Sequence, residues 1–395
     1  FGHFVRHYQA QIGRAAQQGL NSLVANYGPA LIDRAVLDAL CRALQLPFHE
    51  VIRRNLAGIQ VTPLTPDLRG FDLDEAWQAV YKDGTVPPER EDELRYEDRE
   101  EYTPLEVRAG LSFYNHSGYV PLDGWSESTS RTLDYAYDDH AIAVLAEMLD
   151  KESDASFFHN RSRNYRHVFD HDQGLMAARL KNGTFLVQPL PDPRGRQEGF
   201  TEGNSFDYSF DVVQDVPGLA ELVGGRAKLT ALLDRHFSEG HNDQSNEPSH
   251  HIPYLYTLLG EAHKTQRLVR NISHQAFSAQ PDGYAGNEDC GQQSAWYIWS
   301  AMGLYPVNPV SGEYVVSSPF FEHMEIDAAA AATLSNESLS AELLCDAVIT
   351  RARAVGGRFS THSAVQPQCA VGYPVRLGVR SGRVGAGKTG KGDSA

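Results

Sequence analysis

The sequence has few cysteines, no long apolar run and fewer basic than acidic residues. Its four cysteines are scattered without a C-x-x-C spacing, so they indicate neither a zinc site nor a disulfide framework. No run of about eighteen apolar residues occurs, which predicts that no segment spans a membrane. With 51 acidic and 35 basic residues, the net charge is −16. This charge argues against a nucleic-acid partner and suits neutral ligands and divalent cations.

The apolar content is high enough for a sizeable core. The chain has 395 residues, of which 41% are hydrophobic, and this predicts one large domain or two smaller ones. Apolar periodicity predicts a helix at residues 27–46, with Pro29 in its first turn, and another helix that begins at residue 71. Residues 83–103 read as a charged loop.

Regular helical patterns continue from residue 110. They predict a long amphipathic helix at residues 128–149 and a second at residues 153–169. An Asn182-Gly183 turn between apolar runs predicts a β-hairpin at residues 174–190.

The helical signal weakens towards the end of the chain. Residues 314–326 read as short strands. Beyond residue 328, a weak helical pattern at residues 339–355 and a Gly/Ser/Lys-rich tail predict a loosely packed or disordered terminus. Residues 382–389 match G-x-x-x-x-G-K-[ST], but only six residues follow them. Because a phosphate site of this kind needs a helix after the loop, we interpret the match as a coincidence.

Polar motifs alternate with pairs of helices between residues 202 and 304. The predicted helices are residues 217–223, 226–237, 249–259, 263–277 and 292–304. Glu202, Glu247 and Asp289 recur at intervals of about 45 and 42 residues. Because two antiparallel helices return the chain to the end where it started, we expect these residues to gather at one end of the array. The spacing predicts a mainly α fold, an α/α toroid built from helix hairpins, with a few short β-strands after residue 305. A solenoid of helix pairs would give the same spacing.

Glu202 lies between aromatic residues in the segment FTEGNSFDYSF, residues 200–210. Gly203 and Asn204 break the periodicity, which places Glu202 in a loop. We expect the aromatic side chains of this segment to line a pocket that raises the pKa of Glu202 by desolvation, as a proton donor requires. These side chains are Phe200, Phe206, Tyr208 and Phe210. The alternative is a surface turn that caps a helix.

His250 and His251 are adjacent and would point about 100° apart on a helix, so they do not chelate one metal ion as an i, i+4 pair does. A contact between one of them and a substrate hydroxyl is the stronger interpretation. The alternative is that one histidine packs in the core and the other caps a helix.

Glu288 and Asp289 directly precede a predicted helix, where helix capping is the ordinary role of a carboxylate. Together with Asn246 and Glu247, however, they offer hard oxygen ligands suited to calcium. One carboxylate in an aromatic setting and another in a polar, ionised setting is the pattern of a glycosidase acid and base.

At these residues the chain resembles the family-92 glycoside hydrolases. The resemblance is carried by GFTEGNSFDY (199–208), NEPSHHIPYLY (246–256), DGYAGNEDCGQQSAW (282–296) and AMGLYP (301–306). Looser similarity at LDYAYDD (133–139) and at residues 71–79 extends it to about residues 71–322. Three long motifs in the right order make the match specific.

Members of that family are calcium-dependent, inverting exo-α-mannosidases. The resemblance implies that Glu202 is the general acid on the glycosidic oxygen and Asp289 the general base that activates water, with Glu288 the less suitable base. An inverting mechanism predicts roughly 6.5–9.5 Å between the carboxyl groups of acid and base. Calcium (Ca2+) is implied near Asn246, Glu247 and Asp289, where it would hold two mannose hydroxyls. Four further side chains are candidates for the wall of the substrate pocket: Asp138, Asp139, Asn204 and His250.

The resemblance also implies a domain organisation and a substrate. Residues 1–70 would be a helical segment with a poor family match, residues 71–322 the catalytic toroid without the family's preceding β-sandwich domain, and residues 323–395 short strands and a degenerate or disordered tail. The expected substrate is a mannose-containing glycan, with terminal α-linked mannose, α-1,2 in particular, removed from N-glycans or mannans. A secreted or extracytoplasmic location is favoured. The alternatives are a non-catalytic carbohydrate-binding remnant and a helical-repeat scaffold for protein partners.

Overall fold

The computed structural model describes residues 22–58, 73–89, 108–321, 323–326 and 376–379, together with a few positions between residues 8 and 18. The predicted helix at residues 339–355 and the segment 382–389 lie outside the described residues, as does most of the predicted loop at residues 83–103.

The chain divides into two compact units. The first comprises Phe1–Thr85 and Arg95–Leu105, and the second comprises Val86–Leu94 and Glu106–Ala395. The domain boundaries expected at residues 70 and 322 stay predictions.

The described part of the first unit includes the helices α1 (Ser22–Leu44), α2 (Phe48–Arg53) and α3 (Leu73–Thr85). Helix α1 begins earlier than predicted, so Pro29 lies inside the helix and not in its first turn. An interior proline removes one backbone hydrogen bond, which is why the sequence favoured a start close to Pro29. Residues 22–28, which precede Pro29, are nevertheless helical.

The second unit is mainly helical. Its helices are α4 (Leu111–Ser117), α5 (Ser128–Met148), α6 (Glu152–Arg161), α7 (Ser205–Tyr208), α8 (Val216–Val223), α9 (Arg226–Ser238), α10 (Ile252–Leu258), α11 (Ala262–Ala276) and α12 (Gln292–Met302). Helix α5 packs against α6, α8 against α9 and α10 against α11, which are the helix pairs that the sequence predicts. The closure of these pairs into a toroid stays a prediction. No helix in the described part of the chain is both long and apolar enough to cross a membrane.

Short strands complete the second unit. They are β1 (Phe169–Asp170), β2 (Leu175–Met176), β3 (Leu304–Tyr305), β4 (Val315–Val316), β5 (His323–Ile326) and β6 (Arg376–Val379). Strands β1 and β2 pair antiparallel, as do β3 and β4, whereas β5 and β6 pair parallel. A mainly α fold with a few short strands is thereby confirmed.

Three predicted elements differ from the structure. Residues 153–169 are not one helix, because α6 ends at Arg161 and a 3₁₀ turn, Asn164–Val168, follows it. The hairpin at residues 174–190 is shorter than predicted. Arg179 and Phe185 form an antiparallel bridge, and backbone hydrogen bonds from Leu180 to Thr184 and from Leu186 to Ala178 flank it. Residues 249–259 form a 3₁₀ turn, Glu247–Ser249, and then α10, since Pro248 and Pro253 each begin a new helical turn.

The core of the second unit is rich in aromatic side chains. Trp296 on α12 and Tyr254 on α10 are both fully buried. Tyr254 stacks on Tyr305 with 4.1 Å between ring centroids, and Phe277 stacks on Trp296 with 5.5 Å between centroids. These contacts pack α10, α11 and α12 together. The polar segments that precede α10 and α12 are therefore attached to helices that pack against each other.

Candidate active site

The loop that carries Glu202 is held by the cap of the short helix α7. The Asn204 side chain accepts a hydrogen bond from the Phe206 backbone N–H at 2.8 Å and donates one to the Gly195 carbonyl at 2.8 Å. The Asp207 carboxylate completes the capping box by accepting from the Asn204 backbone N–H at 3.1 Å. Asn204, predicted to contact substrate, is fully buried and uses its side chain to hold this turn.

The aromatic residues of this segment do not enclose Glu202 as predicted. Phe200, Phe206, Tyr208 and Phe210 are all buried in the protein interior, whereas Glu202 is exposed to solvent. The expected desolvation of Glu202 by its neighbours is therefore wrong. The physical reason is that the core takes up the aromatic side chains while the left-handed backbone at Glu202, with φ of 51°, turns this residue outward.

Helix α5 supports the Glu202 loop from the side. The backbone N–H of Thr201 donates to the Ser130 hydroxyl at 2.9 Å, and the Tyr208 hydroxyl donates to the Thr201 carbonyl at 2.7 Å. Both partners of Thr201 are buried. Hydrogen bonds at both its N–H and its carbonyl oxygen thus fix Thr201, the residue next to Glu202.

The segment with Asn246 and Glu247 is built around Asp243. The Asp243 carboxylate accepts hydrogen bonds from the backbone N–H and the hydroxyl of Ser245, at 3.0 and 2.6 Å. The Ser249 hydroxyl accepts from the Asp243 backbone N–H at 3.0 Å and closes the turn. The Asn246 side chain then reaches the Glu202 loop, where its amide donates to the Glu202 carbonyl oxygen at 3.3 Å.

A third loop approaches the second at Gly286. A Cβ atom at this position would lie 2.8 Å from both the Cβ and the carbonyl oxygen of Ser245, so only glycine allows the two loops to come this close. Asp289 and Cys290, which follow, have φ values of 56° and 57°. Glu202 and Asp289 are therefore both non-glycine residues in the left-handed region, where backbone strain tends to mark functional sites.

Glu288 and Asp289 play different structural parts. Glu288 accepts hydrogen bonds from the Gly291 backbone N–H at 2.7 Å and from the Ser294 hydroxyl at 2.6 Å, and so caps α12. The hydrogen bond from Ser294 lowers the pKa of Glu288. Glu288 thus has the ordinary capping role, whereas Asp289 remains exposed.

The three loops that carry Glu202, Glu247 and Asp289 approach one another here, and Glu247 lies near both other carboxylates. Burial raises the pKa of Glu247, and a hydrogen-bonding contact with the Asp289 side chain and the negative charges of Asp289 and Glu202 raise it further. The expectation that the spaced motifs gather in one place is met by these contacts. The catalytic and calcium-binding roles assigned to these residues stay predictions.

His250 lies beneath these loops. It is 1% exposed, and burial lowers its pKa to about 4, so the ring is neutral at neutral pH. Its Nε2 lies 3.3 Å from the Gln244 carbonyl oxygen and its Nδ1 lies 3.1 Å from the Gln292 side-chain nitrogen. Both ring nitrogens have protein partners, which matches the packing alternative rather than a contact with substrate.

Asp139 is a member of a buried ion network. It is fully buried and accepts hydrogen bonds from Arg108 at 3.3 Å, Arg161 at 3.0 Å and the Tyr114 hydroxyl at 2.8 Å. Asp139 therefore has a structural role and does not lie at the wall of a pocket. Its neighbour Asp138 is exposed and lies 3.6 Å from Arg108.

Two acidic residues that the sequence did not single out, Asp134 and Asp211, lie near each other, and Asp134 is also near Asp138. Burial, then the negative charges of Asp211 and Asp138, raise the pKa of Asp134 to about 8, although solvent reaches the Asp134 side chain. Burial also raises the pKa of Asp211. Asp134 is one helical turn before Asp138 on α5, a spacing that the LDYAYDD motif shows. No comparable sequence pattern pointed to Asp211.

The predicted calcium ligands fit calcium by their chemistry. Asn246, Glu247 and Asp289 offer hard oxygen atoms, and the repulsion between Glu247 and Asp289 is the kind that a bound cation relieves. In the described part of the chain, no group of three or more His, Cys, Asp or Glu side chains that could hold a metal ion is present. Calcium takes six to eight oxygen ligands, so amide, backbone, water or sugar oxygens would have to complete its coordination.

Comparison with known proteins gives a family match over most of the chain. The model of the glycosyl hydrolase family 92 catalytic domain matches residues 54–348. An uncharacterized secreted glycosidase of Arthroderma benhamiae is 29% identical over 289 residues, which are 65% of this chain and 35% of that protein.

Solved structures give the same result. A family GH92 α-mannosidase from Bacteroides thetaiotaomicron is 34% identical, with a TM-score of 0.55, and the match covers 65% of this chain and 32% of that one. A family GH92 inverting mannosidase from the VPI-5482 strain of the same species is 32% identical with a TM-score of 0.55, over 64% of this chain and 36% of that one. The chain thus spans about a third of the length of these relatives.

Proposed function

Because the chain belongs to glycosyl hydrolase family 92, we propose that it is an exo-α-mannosidase that hydrolyses terminal α-linked mannose with inversion. The observation that carries this proposal is the close approach of the three loops that bear Glu202, Glu247 and Asp289. The Asn246 amide bonds to the Glu202 carbonyl oxygen, and Gly286 packs against Ser245. The name of a solved relative as an inverting mannosidase supports the stereochemistry.

In the proposed reaction, Glu202 donates a proton to the glycosidic oxygen as the bond to the leaving group breaks. Asp289 accepts a proton from a water molecule that attacks the anomeric carbon from the opposite face. The hydrogen bonds that fix Thr201 and the capping box at Asn204 orient Glu202. Glu288, by capping α12, holds the backbone that presents Asp289.

Asn246, Glu247 and Asp289 would hold Ca2+, which when bound polarises and orients sugar hydroxyls. The proposed substrate is a mannose-containing glycan, an N-glycan or a mannan, with α-1,2 linkages preferred. A secreted location is proposed from the name of the Arthroderma benhamiae relative.

A second function, carbohydrate binding without catalysis, is favoured by one observation. Glu202 is exposed, whereas a general acid that works at neutral pH usually sits in a site that excludes water. In this alternative the three loops bind mannose but do not cleave it.

One experiment separates these functions. The protein is incubated with an aryl α-mannoside, with calcium and with a chelator, and the first-formed sugar is followed by NMR. Calcium-dependent release of β-mannose supports the proposal. Release of α-mannose excludes inversion, and turnover that resists the chelator excludes the calcium role. Mannose binding without turnover establishes the second function, and a protein without sugar affinity fits only a scaffold.

A further inference from the structure

His250 connects the two polar segments that carry the candidate calcium ligands. Gln244, whose carbonyl oxygen faces the His250 ring, is in the loop with Asn246 and Glu247. Gln292, whose side chain faces the other ring nitrogen, is the first residue of α12 and follows the Asp289 loop. The imidazole ring therefore bridges the two loops.

The partners of the ring select one tautomer. A glutamine side-chain nitrogen only donates, so Nδ1 of His250 accepts from Gln292 and carries no proton. Nε2 then carries the proton and donates to the Gln244 carbonyl oxygen. The Gln293 side-chain nitrogen, 3.4 Å from Nε2, is also a donor and points its hydrogen at the same carbonyl oxygen. A neutral ring with this tautomer satisfies both neighbours at once, and the burial of His250 supports the neutral form.

Two more hydrogen bonds connect the 243–250 loop with α12. The side chain of Gln293, which is fully buried, donates to the Gln244 carbonyl oxygen at 2.9 Å. The indole N–H of Trp296 donates to the backbone carbonyl of His250 at 2.9 Å. Helix α12 thus donates hydrogen bonds to two carbonyl oxygens of the 243–250 loop.

We propose that His250 is a positioning residue, which together with Gln292 fixes the 243–250 loop against the start of α12 and so keeps Glu247 and Asp289 close enough to share one calcium ion. This inference rests on the proposed function for its calcium ion. The geometry on which it rests, the hydrogen bonds that join the 243–250 loop to the start of α12 through His250, is independent of that function.

Gln292→Ala tests the proposal with little risk to the fold, because Gln292 is only partly buried. Calcium binding is measured as the rise in unfolding temperature with calcium concentration, without substrate. Loss of an outer partner of this kind weakens metal binding by about 10- to 100-fold, and we expect a loss in this range for Gln292→Ala and His250→Ala. Gln275→Ala, at an exposed position on α11, is the matched control and should bind calcium normally.

The double variant and the Michaelis constant distinguish positioning from a direct sugar contact. If His250 acts through Gln292, His250→Ala with Gln292→Ala should bind calcium no more weakly than His250→Ala alone. If His250 instead touches the sugar, His250→Ala should raise KM for an aryl α-mannoside and leave calcium affinity intact, and Gln292→Ala should have no effect. That second pattern would overturn the proposal.

A crosslinking experiment needs neither calcium nor mannoside. Glu247→Cys and Asp289→Cys are introduced together with Cys290→Ser, and the disulfide between positions 247 and 289 is followed by peptide mapping. We expect slower formation when Gln292→Ala is added and an unchanged rate with Gln275→Ala. An equal rate in both backgrounds refutes the positioning role even if the protein proves to be an active mannosidase, and a slower rate supports it even if the protein does not cleave mannosides.

Discussion

Asn246 donates a side-chain hydrogen bond to the backbone carbonyl oxygen of Glu202, 3.3 Å away, across 44 residues of sequence. The bond joins a candidate calcium ligand to the loop of the candidate general acid. A calcium ion bound at Asn246 would therefore stiffen the turn that presents Glu202. Metal binding and proton donation are expected to depend on each other for this reason.

Glu247→Gln removes one negative charge from the calcium site while preserving volume. We expect calcium affinity and α-mannosidase activity to fall together, and excess calcium to restore part of the activity, because a neutral amide oxygen is a weaker ligand than a carboxylate. The measurement is activity against calcium concentration.

Glu221→Gln is the control for that change, since the Glu221 side chain is 77% exposed and pairs with Arg166 on the surface. Its calcium dependence should match that of the unmodified protein. Full activity of Glu247→Gln at ordinary calcium would remove Glu247 from the site.

Asp139→Ala is expected to lower the free energy of unfolding by about 3–5 kcal/mol, because it leaves two buried guanidinium groups without their shared carboxylate. Urea unfolding followed by circular dichroism measures this loss. Arg108 keeps its weaker partner Asp138 at 3.6 Å, which places the loss towards the lower end of this range. If Asp139 instead lined the sugar pocket, stability would be unchanged and KM for the mannoside would rise.

The gathering of the motifs could be predicted from sequence because two antiparallel helices return the chain towards its starting end. The predicted helices at residues 217–223 and 226–237 agree closely with α8 and α9. Other helix boundaries were predicted wrongly where prolines occur. Pro29 was expected at a helix start and lies inside α1, whereas Pro248 and Pro253 divide a segment that was expected to be one helix.

Side-chain direction could not be predicted, because it depends on packing between distant segments. The aromatic residues around Glu202 were expected at the site and are part of the core. Asp138 and Asp139 are adjacent and equally acidic, yet Asp138 is exposed and Asp139 is enclosed by two arginines. Asp211, in the segment after α7, gains its importance from Asp134 on α5, which is distant in sequence.

The carboxyl group of Asp134 should make stability depend on pH. Its pKa of about 8 in the folded protein is above the ordinary value of 3.8. Between these values the folded protein retains a proton that the unfolded chain has lost, so this group's contribution to stability decreases as pH rises towards about 8. Asp134→Asn removes the ionisable group and should become more stable relative to the unmodified protein over the same interval.

Unfolding temperatures of both proteins between about pH 5 and pH 9 measure this effect. Gln275→Ala, a change of an exposed residue without an ionisable group on α11, is the control and should keep a constant difference from the unmodified protein. A constant difference for Asp134→Asn as well would mean that Asp134 ionises normally in the folded state.

The proposed acid and base should respond differently to the leaving group. Glu202→Gln is expected to lower kcat/KM for a mannose disaccharide by about 10²- to 10⁴-fold but to affect a nitrophenyl α-mannoside much less, because only the sugar leaving group needs a proton. Asp289→Asn, assayed at saturating calcium, should lower both rates, because water must be activated whatever group departs. Glu288→Gln is the control: it weakens the cap of α12 and should lower the unfolding temperature without any dependence on the leaving group. Equal losses on both substrates for Glu202→Gln would show that Glu202 is not the proton donor, and a first product with retained α configuration would make the second carboxylate a nucleophile instead of a base.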